Sequence, residues 1–109
     1  MLGMRKVRMR WPYPRRPLLG RDLPRTFSEG EKVFDQRVKA QFPVGSSERT
    51  MVDQLRSQGF SVEAAPFYDG WRAANVRRGI VIQTLWSVRW RATANRIDEV
   101  VGIYGAIAP

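Results

Sequence analysis

From Gly79 to Ala92 the chain reads Gly-Ile-Val-Ile-Gln-Thr-Leu-Trp-Ser-Val-Arg-Trp-Arg-Ala. Taken with period two, it separates into two faces. Ile80, Ile82, Thr84, Trp86, Val88 and Trp90 share one face, which is almost wholly apolar. Val81, Gln83, Leu85, Ser87, Arg89 and Arg91 share the other, which turns cationic toward its end. Strict alternation of β-branched and aromatic residues with polar ones marks a half-buried strand. The stretch is longer than an ordinary strand, so a bend or bulge is expected in it. It reads as the central strand of an antiparallel sheet, with its tryptophan face against helices.

The rest of the chain can be arranged around that strand. Ser28-Glu29-Gly30-Glu31 fits a capping box, in which the serine accepts from a free N–H of the first turn and Glu31 reaches back. A helix follows to about Phe42, with Phe34, Val38 and Phe42 on one face and Pro43 to stop it. A second helix begins at Ser46 or Ser47, carries Met51, Val52 and Leu55 inward, and ends at Gly59-Phe60 in a Schellman arrangement. This pair could be read as a DNA-binding helix-turn-helix. The outward residues of its second helix argue against that, because Glu48 and Asp53 stand among the few cations.

Ser61 to Phe67 reads as a first strand, and residues 71–78 as a loop before the long strand. Thr93-Ala94-Asn95 is a hairpin loop, and Arg96 to about Ala106 a third strand. In that strand Ile97, Val101 and Ile103 fall on one parity and Val100 and Tyr104 on the other, which a bulge near Glu99 would reconcile. The predicted fold is α+β: two N-terminal helices packed on one face of a three-stranded antiparallel meander (ααβββ), preceded by a disordered basic arm. Residues 28–109 form the single domain, and residues 1–27 the arm.

Charge sets the arm apart. Of the net charge of +9, residues 1–25 supply +7: Arg5, Lys6, Arg8, Arg10, Arg15, Arg16, Arg21 and Arg25 against Asp22 alone. The remaining residues hold 11 basic and 9 acidic side chains. Four prolines and no apolar period make the arm extended or disordered. With Trp11 and Tyr13 among its cations, it suits nucleic acid or an anionic bilayer surface. No apolar run of seven or more follows the basic residues, so no signal peptide is read there, and no window is long enough for a transmembrane helix.

Val44-Gly45-Ser46-Ser47-Glu48-Arg49-Thr50-Met51-Val52-Asp53-Gln54-Leu55 is a glycine and small polar residues entering a helix with a valine–leucine face. Together with Phe42-Pro43, Gly59-Phe60, Trp86-Ser87-Val88-Arg89-Trp90 and the closing Gly102-Ile103-Tyr104-Gly105, it resembles the small lipoproteins of the outer-membrane β-barrel assembly machinery, the BamE/SmpA/OmlA type, and related proteobacterial envelope proteins. The likeness covers residues 28–106. It implies the ααβββ order, a protein-binding role and a place in the bacterial envelope. That family carries a lipid-modified cysteine after a signal peptide, and this sequence contains no cysteine.

Candidate chemistry is sparse. The chain has neither cysteine nor histidine, which removes thiol nucleophiles, imidazole bases and nearly all zinc chemistry. Trp86, Arg89, Trp90 and Arg91 could form a stacking platform for single-stranded nucleic acid, but the period puts tryptophans and arginines on opposite faces. Asp98 and Glu99 are adjacent on a strand and point apart, so they do not make a catalytic carboxylate pair. Ser46 and Ser47 read as helix caps. The reading is therefore a non-enzymatic binding domain without cofactor, metal or small-molecule substrate, which engages a protein partner. The surfaces suggested are the outer sheet face (Val81, Gln83, Leu85, Arg89, Arg91) and the open sheet edges. The alternative is a nucleic-acid-associated protein that uses the arm, supported by Arg77, Arg78, Arg89 and Arg91.

Overall fold

The computed structural model describes residues 17–63 and 68–107. Arg5, Lys6, Arg8, Arg10, Arg15 and Arg16 lie outside them. The fold is α+β, with two helices, α1 (Phe27–Gln41) and α2 (Glu48–Ser57), and a four-stranded antiparallel sheet. Its strands are β1 (Ser61–Val62), β2 (Arg72–Arg78), β3 (Gln83–Thr93) and β4 (Arg96–Ile107), in the spatial order β1-β2-β3-β4.

The strand count differs from the expected three because residues 71–78 are not a loop. Arg72–Arg78 pairs along its whole length with β3, Arg72 opposite Trp90 and Arg78 opposite Thr84. Its inward residues Ala74 and Val76 are small or short, so alternation is faint in the sequence, yet both are buried. Of the expected first strand, Ser61 and Val62 pair with β2, and residues 64–67 lie outside the described residues. The long strand also starts later than Gly79. Gly79 has φ +122° and opens a turn, and Ile80, Val81 and Ile82 stand out in solvent instead of alternating in the sheet. The β-branched run has strand propensity, but no described residue pairs with it there.

Local chemistry explains α2 completely. The Ser47 side chain accepts from Thr50 N–H at the N-terminus. At the other end Gly59 sits at φ +96°, Gly59 N–H donates to the Arg56 carbonyl and Phe60 N–H to the Leu55 carbonyl, both at 3.0 Å. This is the Schellman pattern. Helix α1 begins two residues earlier than expected. Its cap is Thr26, whose hydroxyl accepts from Glu29 N–H, and not Ser28.

Packed structure also reaches upstream of residue 28. Pro17, Leu19 and Gly20 are buried around a short 3-10 turn at Leu18–Gly20. Arg37 of α1 donates to the Leu19 and Arg21 carbonyls, and Leu19 N–H donates to Gln58 Oε1 at the end of α2. This strap is tied to both helices.

One core lies between helices and sheet. Phe34 and Val38 from α1, Phe42 immediately after it, Met51 and Leu55 from α2, and Trp86, Val88 and Trp90 from β3 are all nearly inaccessible. In β4 the pairing passes from Arg91–Glu99 to Ala92–Ile97, which leaves Asp98 as an extra residue. That bulge, beside Glu99, turns Ile97 to the same face as Val100, Gly102 and Tyr104 and resolves the conflicting parities. Helix α1 lies directly on β4. Gly102 lets the helix approach at Phe34, Asp35 and Val38, and Gly30 of the helix receives the Tyr104 ring.

Candidate functional site

Both helices occupy the face of the sheet that carries Trp86, Val88 and Trp90. Directly opposite residues on paired strands project to the same side, so the pairings define the other face. It contains Arg77, Leu85, Ser87, Arg89, Arg91, Val101, Ile103 and Gly105. No helix covers it among the described residues. Leu85, Val101 and Ile103 remain partly accessible and adjoin one another across β3 and β4. Gly105 pairs with Leu85, and a Cβ placed on it would meet nothing within 4 Å. A shallow apolar strip results, bounded by arginines.

The arginines are not equivalent. Arg91 forms an ion pair with Glu99 and lies 5.3 Å from the Trp71 ring centroid, a cation–π distance. Arg89 Nε donates to Ser87 Oγ at 3.4 Å, which folds its side chain along the face over the fully buried Ser87. Arg77 is exposed on this face beside Leu85, whereas Arg78 pairs with Thr84 and projects to the opposite side. Val81, counted from the sequence as part of the face, is instead on the β2–β3 turn. Trp86 and Trp90 lie under the helices, away from Arg89 and Arg91, so the structure does not bring together a stacking platform.

The sheet edges are less open than the sequence suggested. Along β4, Gly102 N–H donates to Asp35 Oδ1 at 2.8 Å and Tyr104 N–H to Glu31 Oε2 at 3.2 Å. Nearer its start, Gly45 N–H donates to the Ile97 carbonyl and Ile97 N–H to the Ser46 carbonyl. Two acids of α1 and the α1–α2 loop thus occupy groups that an added strand would use. The edge surface is corrected accordingly: β4 is covered at these positions, and among the described residues β1 offers Ser61 and Val62.

A polar cluster not visible in the sequence sits at the other end of β3. Glu48, in the first turn of α2, accepts from Trp90 Nε1–H at 2.8 Å and forms an ion pair with Arg72, which pairs with Trp90 across the sheet. Partial burial pushes the Glu48 carboxyl up, but the Trp90 hydrogen bond and then the Arg72 hydrogen bond and charge outweigh it, so the net shift is downward. A carboxyl lowered on folding adds stability above its unfolded pKa, and that stability is lost as pH falls through the folded one. Stability should therefore drop on acidification below the ordinary glutamate range. Glu48→Gln should flatten that part of the curve, as measured by urea midpoints across an acid pH series.

The remaining candidates are structurally engaged. Asp98 accepts from Thr93 Oγ1 at 2.6 Å, and Glu99 holds Arg91. Ser46 Oγ donates to the Pro43 carbonyl, and Ser47 caps α2. Among the described residues no cluster of three or more acidic side chains is placed to hold a metal ion. Comparison with family models, curated proteins and solved structures found no match to this chain.

Proposed function

We propose that this chain is a non-enzymatic binding domain that receives a protein partner on the helix-free face of its sheet. Its placement in the bacterial envelope is part of the proposal and comes from the sequence resemblance alone. The observation that carries the binding reading is the strip Leu85, Val101 and Ile103 with Gly105 beside it, left accessible while both helices crowd the opposite face. Protein interfaces combine an apolar centre with a polar rim, and arginine is enriched in them. Arg77 and Arg91 stand at such a rim.

A photo-crosslinking residue at Ile103 should capture a partner that one at Arg56, exposed on α2, does not. Capture should persist at high salt, because apolar contact is little screened, and Leu85→Lys on the same strip should abolish it. Binding that disappears with salt and ignores Leu85 would instead favour the nucleic-acid reading through the N-terminal cations.

A further inference from the structure

Three adjacent aliphatic residues project from the β2–β3 turn. Ile80 is 94% exposed, Val81 67% and Ile82 64%. The other exposed large hydrophobics among the described residues, Leu18, Phe27 and Val44, are scattered singly. At the start of the turn Gly79 adopts φ +122°, and the Gln83 side chain donates to the Gly79 carbonyl at 3.4 Å. Arg77 and Arg78 flank it, both exposed and without an ion-pair partner among the described residues. Arg78, Ile82 and the exposed Arg25 of the strap line one cleft of about 550 Å³ behind the tip, with Asp22 the one acidic residue in its lining. From Arg72 to Thr93 the hairpin carries five arginines and no acidic residue.

We propose that this tip is an anchor for an anionic bilayer surface, with Ile80, Val81 and Ile82 entering the acyl boundary while Arg77, Arg78 and Arg25 meet lipid phosphates. Contiguous exposed apolar residues mark an interaction site. A convex knob of three aliphatics needs a soft apolar medium more than a shaped pocket, and cations immediately behind it with no carboxylate on the hairpin match an acidic headgroup layer. The site adjoins the sheet strip proposed for a protein partner and shares Arg77 with its rim.

The test is sedimentation of the full chain with phosphatidylcholine vesicles, with and without phosphatidylglycerol. Binding should require phosphatidylglycerol. Ile80→Ser with Ile82→Ser, which leaves every charge in place, should lower partition about tenfold or more. Val44→Ser, on the α1–α2 loop, should leave it unchanged. Because the chain has no cysteine, Val81→Cys can carry a single environment-sensitive dye, whose emission should shift to the blue on vesicles. Absence of vesicle binding, equal binding by the serine double variant, equal loss in Val44→Ser, or an unchanged dye spectrum would each overturn the proposal. Equal binding by the double variant would assign any lipid affinity to the N-terminal cations, and capture of the tip by a protein with no vesicle binding would assign it to a protein contact.

Discussion

Replacing Trp90 with alanine should lower the unfolding free energy by about 3–5 kcal/mol, the cost typical of removing a large buried aromatic side chain. Trp90 is 1% exposed and central to the core shared by both helices and the sheet. It also donates its indole N–H to Glu48, so the change removes packing and a hydrogen bond together. Phenylalanine separates the two. Trp90→Phe keeps most of the apolar contact but leaves Glu48 with Arg72 as its side-chain partner, and should cost about 1.5–3 kcal/mol, the range for a hydrogen bond to a charged group. Trp86 provides the contrast. It is 3% exposed, yet its Nε1 is buried with no acceptor among the described residues. Trp86→Phe therefore loses no hydrogen bond and should be milder than Trp90→Phe. Urea unfolding of the three variants measures this directly; equal costs for the two phenylalanine changes would remove Glu48 from the energetics of the fold.

These two tryptophans show how far the sequence could be read. Period-two alternation put both on the buried face, because the rule depends only on positions within one strand. It could not show that Trp90 meets Glu48 and Arg72, residues 42 and 24 positions apart from Trp90 and Glu48 respectively in those contacts. Helix α2 was legible to within one residue, with Ser46 or Ser47 as its cap, because a serine cap and the Gly59-Phe60 ending are local chemistry. The start of α1 was not, since Thr26–Glu29 and Ser28–Glu31 both fit a capping box. The sheet resolves the ambiguity: Glu31 is turned to the Tyr104 amide of β4.

Strand β2 was missed for a different reason. Arg72-Ala73-Ala74-Asn75-Val76-Arg77-Arg78 carries little apolar bulk, and its stability as a strand comes from pairing with β3. The opposite error occurred at Ile80-Val81-Ile82, where intrinsic propensity suggested a strand that has no neighbour. That error bears on the proposed bilayer anchor, since residues expected in the sheet are the protruding turn. On the outer face, Leu85, Arg89 and Arg91 were placed correctly by alternation. Their neighbours Val101 and Ile103 joined them only after the Asp98 bulge fixed the register of β4.

The contact between α1 and β4 yields the second large effect. Gly102→Val should destabilise by about 1–3 kcal/mol from overpacking alone. A Cβ at this position would lie 2.9 Å from Phe34 Cδ2, 3.0 Å from the Asp35 Cα and 3.0 Å from Val38 Cγ2. The two ring and methyl contacts could relax, but the Asp35 Cα belongs to the helix itself, so α1 must move outward. That movement would stretch the 2.8 Å hydrogen bond from Gly102 N–H to Asp35, which is worth about 1.5–3 kcal/mol as a bond to a charged acceptor. The strand preference of valine over glycine opposes these costs by only about 1 kcal/mol, so destabilisation wins. Gly105→Val supplies the matched control three residues along the same strand. There a Cβ meets nothing within 4 Å, so the same substitution should be neutral or slightly stabilising. Because Gly105 lies beside Leu85 on the helix-free face, the control also fills the shallow strip proposed for a protein partner. Thermal melts of the two variants should therefore separate clearly, with Gly102→Val low and Gly105→Val near the parent. Comparable melting temperatures would mean that α1 does not rest on β4 through Gly102. A normal melt together with lost partner capture in Gly105→Val would locate the binding surface on the strip independently of any charge.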